Sequence, residues 1–541
     1  MQGLPAQVTV FGKNLGFDTT AAKNRSSIAR QGTSNKRRLK AVRAQKRLSK
    51  LARAAGARIA RMAKTNIVAK AAYCSPLRGI SPTEHLQLRR SVGKLLPPFG
   101  GARSLTRLLA FHGDPTAGMA VAASVRWARE VWAAAAGSPD ALGLTWLRGY
   151  WQEWHEAGGR RTWRTAKGPL DVVHLELRRV GWTFTSPFAY TDGKGDEVTL
   201  TLTSPKRVEQ MLRQSTQDKL ICDMADSKGW HCDPGQYFEL APLRRLARSA
   251  RLDSREQGLL RAFGTNALWT PARQQQCGYE VPARCSLCGG PTDDLEHRLY
   301  RCTAAEVSKV RDRILAKAKR KDMISRVGEQ PWLFLHGFVK VDWPEASGDP
   351  EPHWVMLGEF QEGEDYYFDD GTLFSAGSCS TLFDQVPGTR RAGWGVVQVE
   401  AGTGKMVAAV FGPVCRPTPQ SAQGGEWTAT AVAAQFARGG APAGPRSGMQ
   451  LHVDCSSVVQ GWQCRACPAA WLNPRDLWAG HRRCIQTLPG FHTIDKVCKV
   501  AAHVKTGRTE IGPMMPMIWL ITMQTLAESY ILRRAMTRPG S

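Results

Sequence analysis

From residue 23 to residue 64 the chain has no acidic side chain at all, against fifteen lysines and arginines. The shortage is general: 46 Asp and Glu face 74 Lys and Arg, which leaves a net charge of +28 and a pI near 9.9. Such an excess repels itself unless polyanions are near, so a nucleic acid is the first partner to expect and an anionic membrane surface the second. Long hydrophobic runs are also missing. The apolar stretch at residues 514–526 is too short to span a bilayer, so no membrane partner is expected. No N-terminal apolar stretch with a cleavage site stands out, and the expectation is a nuclear or cytoplasmic protein, not a secreted one. The fourteen cysteines then read as thiols and metal ligands before they read as disulfides.

What is present suits a folded chain. With 541 residues and 42% hydrophobic content there is material for about two to four cores. In the acid-free stretch, Leu39, Val42, Leu48, Leu51, Ile59 and Met62 recur at three- and four-residue steps, which predicts a basic amphipathic helix. Residues 65–275 read as mostly helical, with Trp127, Trp132, Trp146, Trp151 and Trp154 expected in the core and a short strand pair at residues 182–202. The Pro-, Gly- and acid-rich residues 341–352 predict a boundary, and residues 437–448 a loop.

Two motifs carry chemistry. In CSLCGGPTDDLEHRLYRC, the residues Cys285, Cys288, His297 and Cys302 follow the pattern C-x2-C-x8-H-x4-C. A tight Gly289-Gly290-Pro291 turn followed by helix suits a tetrahedral zinc with no open position, hence a structural site. Cys277 is a spare ligand candidate. Cys464, Cys467, His481 and Cys484 form a weaker second set, because helix-like apolar residues separate them.

The second motif, YYFDDGT, allows two readings. Taken as a polymerase metal site it needs a second aspartate on an upstream strand, and the residues between Cys302 and Tyr366 leave no room for that domain. Taken as the start of a nuclease site it needs further carboxylates from a helix start and a later strand. Glu426 in EWTATAVAAQFA and Asp454 after MQLHV supply them in order. Clustered carboxylates repel one another unless a divalent cation neutralises them. Asp370, Glu426 and Asp454 are therefore expected to hold two magnesium ions about 4 Å apart and to promote phosphodiester hydrolysis. Asp369 should point to the opposite strand face.

Residues 365–512 resemble the type 1 ribonuclease H domain, and the whole chain resembles the C-terminal part of a non-LTR retrotransposon polyprotein. Asp370, Glu426 and Asp454 match the first three metal ligands of that family, and His503 in VAAHVKTG matches its mobile histidine. The resemblance implies an α/β fold: a ribonuclease H-like mixed sheet of about five strands with flanking helices, preceded by a mostly helical region and a small zinc knuckle. The implied domains are a basic helical region similar to the end of a reverse transcriptase and its thumb (1–150), a helical connector (151–275), the zinc knuckle (276–335), a linker (336–355), the ribonuclease H-like domain (356–512) and an aberrant tail (513–541). The implied reaction is cleavage of the RNA strand of an RNA–DNA hybrid, with His503 assisting proton transfer or product release. The family's last carboxylate, in Asn-x-x-Ala-Asp, is missing after His503; a frameshifted tail would account for it, and Glu510 is a poor substitute. The alternative expectation is a catalytically impaired nucleic-acid-binding relic.

Overall fold

A computed structural model describes residues 11–14, 17–20, 33–73, 75–99, 103–159, 161–231, 236–317, 323–342, 353–356, 367–368, 371–379, 392–400, 403–415, 418–438, 449–463 and 476–500. The chain is mixed α/β and divides into two units, each assembled from separate stretches: residues 1–124, 159–181 and 212–343 form the first, residues 125–158, 182–211 and 344–541 the second. The consecutive domains expected from sequence are thus interleaved. Among the described residues, no helix is long and apolar enough to cross a membrane.

The first unit is largely helical. Its basic helix spans Thr33–Ala55 and stops at Gly56, whose φ of +52° lies in the left-handed region. Shorter turns then continue through Ile59–Ala63 and Lys64–Val68. The buried face differs from the expected one. Ala41, Ala44, Leu48 and Ala52 join Ile59, Ile67, Val92 and Leu95 in the core, whereas Leu39, Val42 and Leu51 stay exposed. Alanines let neighbouring backbones come close, so Leu39, Val42 and Leu51 are left outward. Helix Pro82–Gly93 starts on a capping box in which Ser81 accepts the Glu84 N–H and Glu84 accepts the Ser81 N–H.

Buried ionic groups of the first unit find partners. Arg89 donates to Asp114 at 3.0 Å, and Asp114 accepts both the N–H and the hydroxyl of Thr116. Arg107, 1% exposed, lies over the rings of Trp230 and Phe338 and meets His336 Nδ1 at 2.8 Å. Strand Val339–Asp342 pairs antiparallel with Gln236–Glu239. Residues 336–355 are therefore not a plain linker: Phe338, just before the strand, and Val341 within it are both buried, and His353–Met356 enters the sheet of the other unit.

In the second unit, residues 183–199 form a three-stranded meander instead of a strand pair, with Asp192 accepting the N–H groups of Lys194 and Asp196 at its turn. Trp127 and Trp132 are buried as expected, Trp151 and Trp154 are half-buried around Phe184, and Trp146 is exposed and stacked on Tyr150. The larger sheet has six strands: β1 (His353–Met356), β2 (Thr372–Cys379), β3 (Ala392–Val399), β4 (Met406–Pro413), β5 (Met449–Val453) and β6 (Ile494–Lys499). Their spatial order is β6-β5-β2-β3-β4-β1, parallel across β6-β5-β2 and antiparallel elsewhere. A mixed sheet was expected, and β1 is an additional edge strand. Helices α1 (Ala422–Phe436), α2 (Ser456–Gln463) and α3 (Ala479–Gln486) accompany it, with Trp427, Ala433 and Val458 buried against Leu451, Val453 and Ile494.

Glu176 of the first unit is fully buried: one carboxylate oxygen accepts the Ser124 N–H and hydroxyl at 2.9 and 3.0 Å, and the other has no hydrogen-bond partner among the described residues. Burial pushes its pKa from 4.5 up to about 8. An unfolded chain releases this proton near pH 4.5 while the folded chain retains it, so stability should fall as pH rises between these values. The loss is on the order of 4 kcal/mol when complete. Melting wild type and Glu176→Gln from pH 5 to 8 should give a flatter profile for the variant; parallel profiles would show that Glu176 is not the titrating group.

Candidate functional site

The cysteine cluster closes on itself in the first unit. Cys285, Cys288, His297 and Cys302 present ligand atoms that all lie within 4.8 Å of one another. Cys285 Sγ is 4.0 Å from Cys302 Sγ, close to the separation of about 3.8 Å for two sulfurs each about 2.3 Å from one tetrahedral zinc. Cys288 Sγ is 3.2 Å from His297 Nε2. The knuckle is held by backbone: Cys285 N–H donates to Gly290 O, Gly289 N–H to Cys285 O, and Gly289 takes a φ of +71°. A Cβ on Gly290 would crowd the His297 ring and Cys288 Sγ. Asp293, buried, binds the Arg298 guanidinium through both oxygens, and Asp294 accepts the His297 N–H at 2.7 Å. N–H donation from the Gly290 backbone pulls the Cys288 thiol down to about 6. Three sulfurs and one imidazole in this arrangement can hold a zinc ion with no open coordination position. Exposed Cys277 is not one of the converging four.

Two of the expected nuclease carboxylates meet in the second unit. Ser421 caps α1 by accepting the Gly424 N–H, so the helix begins four residues before Glu426. Its first turns lie against β2 and β3 without intervening side chains: a Cβ on Gly377 would fall on the Glu426 backbone N, and one on Gly425 would strike Gly393 O and Gly377 Cα. This approach lets Glu426 Oε1 accept the Gly377 N–H at 2.6 Å. The other oxygen, Oε2, is buried with no hydrogen-bond partner among the described residues. Burial first, and then the Asp454 carboxylate beside it, push the Glu426 pKa up to about 10. Asp454 follows β5 directly, as expected, and is half-buried.

The third carboxylate does not come from the described part of β2. The parallel register runs from Gln450 opposite Thr372 to Val453 opposite Ser375, so the next rung sets Asp454 beside Ala376. Ala376 shares a sheet face with Phe374, which stacks on His452, and His452 has the parity of Asp454. Asp370 and Asp369 lie outside the described residues. Their described neighbours stand elsewhere: Thr372 pairs four rungs short of Asp454, and Phe368 bridges Ala437. Ala437 is eleven residues beyond Glu426 at the far end of α1, about 16 Å along a helix rising about 1.5 Å per residue. The residues at the site that pattern reading missed are Ala376 and Gly377; the available signal was a glycine inside a strand, which marks a close approach of another backbone.

His503 and Glu510 lie outside the described residues, as do Cys464 and Cys467. From the weaker cysteine set, His481 instead meets the Thr418 hydroxyl at 3.1 Å, with its pKa lowered to about 4 by burial and then by Arg207 and Arg482. Cys484 lies on the same helix, and burial raises its pKa.

The chain matches none of the protein-family models, curated proteins or solved structures with which it was compared.

Two predictions follow from these sites. Purified protein should carry one equivalent of zinc by elemental analysis; Cys302→Ser should lose most of it, and Cys277→Ser should lose none. Retention of zinc by Cys302→Ser would remove the cluster as its ligand set. Separately, Gly377→Ala should destabilise the second unit by about 3 kcal/mol, since two backbones cannot separate cheaply in a packed core. An unchanged denaturation midpoint would show that α1 does not sit on β2.

Proposed function

We propose that the chain is a nucleic-acid-binding protein of retroelement descent, built from a basic helical region, a zinc knuckle and a ribonuclease H-like domain whose hydrolytic centre is incomplete. The observation that carries this reading is the parallel register, which ends with Val453 opposite Ser375 and, continued by one residue, brings the neutral Ala376 level with Asp454. A net charge of +28 supports binding to a phosphate backbone, and the mixed sheet with flanking helices agrees with the expected domain. Zn2+ in the knuckle would be held by Cys285, Cys288, His297 and Cys302 and would pin the turn to the following helix.

Magnesium fits less well. Two ions in one site need carboxylates on both sides and one between them. The described residues supply Glu426 and Asp454, enough for one ion at most, and burial already disfavours charge on Glu426.

A second reading keeps the hydrolytic activity: metal-dependent cleavage of the RNA strand of a hybrid. It is favoured by the adjacency of Glu426 and Asp454, and it requires Asp370 and His503 to reach them.

A labelled RNA–DNA hybrid separates the two. The proposed reading predicts salt-sensitive binding without cleavage in magnesium, and measurable Mn2+ binding only after Ala376→Asp places a carboxylate beside Asp454. Cleavage by the wild-type chain that is lost in both Asp370→Asn and Glu426→Gln would overturn it in favour of the enzyme.

A further inference from the structure

Of the apolar side chains that the basic helix leaves outside the core, Leu39 and Val42 are 49% and 36% exposed. Both line a cleft of about 520 Å3 between this helix, the turn at Tyr73 and helix Pro82–Gly93. Its volume is within the roughly 300–1,000 Å3 of pockets that take a small organic group. The rim is cationic: Arg37, Arg38, Arg78, Arg90 and Lys94 face one carboxylate, Glu84. That carboxylate is already engaged, by the Ser81 N–H and hydroxyl in the capping box and by Arg78 at 3.1 Å. A net excess of four positive charges therefore surrounds an apolar floor.

An aromatic ring completes the cleft. Tyr73 is 45% exposed, and the Arg37 guanidinium lies 3.4 Å from its ring centroid. Arg37 Nε is buried and has no hydrogen-bond partner among the described residues. Flat apolar surface, an exposed aromatic ring and a line of guanidinium and ammonium groups are the three elements by which a protein holds a single strand: bases stack, and phosphates sit on the cations. A duplex would present its phosphates to the rim but could not put a base inside, because its bases are already stacked.

We propose that this cleft binds a single-stranded segment of nucleic acid, with an unpaired base against Tyr73 and the flanking phosphates on Arg38, Arg90 and Lys94. The proposal rests on the nucleic-acid reading above and adds the strandedness and the seat. It also accounts for the outward leucine and valine of a helix whose core face is made of alanines.

Fluorescence anisotropy on the full chain tests it, with a labelled twelve-nucleotide single strand and, in parallel, the RNA–DNA hybrid. Tyr73→Leu should weaken single-strand binding about tenfold, the loss of about one stacked base, while hybrid binding and zinc content stay unchanged. Arg90→Glu should reduce the slope of log affinity against log salt by about one or more phosphate contacts. Photocrosslinking of a 4-thiouridine strand should map to the 73–94 region. Single-strand affinity unchanged in both variants overturns the cleft while leaving the functional reading intact if the hybrid still binds. Failure of wild type to bind either nucleic acid sinks both. Selective loss of anionic-vesicle binding in Tyr73→Leu, with oligonucleotide binding intact, overturns the proposal in favour of a lipid surface.

Discussion

The second unit depends on a steric allowance, the absence of side chains where α1 meets the sheet. Gly377 and the Gly393 carbonyl on the strands face Gly425 on the helix, and a Cβ on Gly377 or Gly425 would meet backbone atoms of the other element. Since backbone cannot rotate out of the way as a rotamer does, this contact fixes the height of the helix above the sheet. It also fixes Glu426, the residue after Gly425, against the Gly377 N–H. Trp427, the next residue, turns into the core, where Gly461 makes room for its ring. The position of the buried carboxylate is thus a consequence of backbone packing.

This arrangement explains which parts of the site pattern reading could find. Glu426 and Asp454 lie at starts and ends of elements with strong signals: a capped, alanine-rich helix and an alternating strand followed by a serine pair. Their adjacency follows once β5 lies parallel to β2. The four converging Cys and His side chains were legible for a similar reason, because short spacings around a glycine turn leave few ways to fold. The register of β2 was not legible. Asp-Gly-Thr and Ala-Gly-Ser stand six residues apart in the same stretch, and only pairing with β5 shows which one faces Asp454. The interleaving of the units was equally hidden, since residues 125–158 and 182–211 group with residues 344–541 without any local cue.

The cysteine–histidine knuckle and the carboxylate pair differ in how they treat charge. In the knuckle the Gly290 backbone N–H favours the Cys288 thiolate, and Asp294 fixes the backbone of His297. In the sheet, Glu426 receives one N–H and otherwise faces apolar surroundings and another carboxylate, a setting that favours the protonated acid. A metal centre kept for structure can be closed and fully served by its surroundings. A hydrolytic centre must instead gather carboxylates whose mutual repulsion cations relieve; around Glu426, burial and the neighbouring Asp454 favour a proton.

The scarcity of acids ties these local facts to the surface. Many of the described carboxylates do structural work: Glu84 in a helix cap, Asp253 and Glu256 in another, Asp171 at the start of a third, Asp114 and Asp293 beneath guanidinium groups, Asp476 against Arg482. Each such acid is committed to a helix end or to a guanidinium group. The lysines and arginines of the basic helix have no such counterparts on their own element. Positive charge is left over where it is most concentrated, along Thr33–Ala55, on the same side as the leucine and valine that the alanine core displaced. Apolar surface and excess cation are costly to expose separately, the first to water and the second to itself. Placed side by side, both costs fall for one class of ligand, a polymer with flat apolar bases on an anionic backbone.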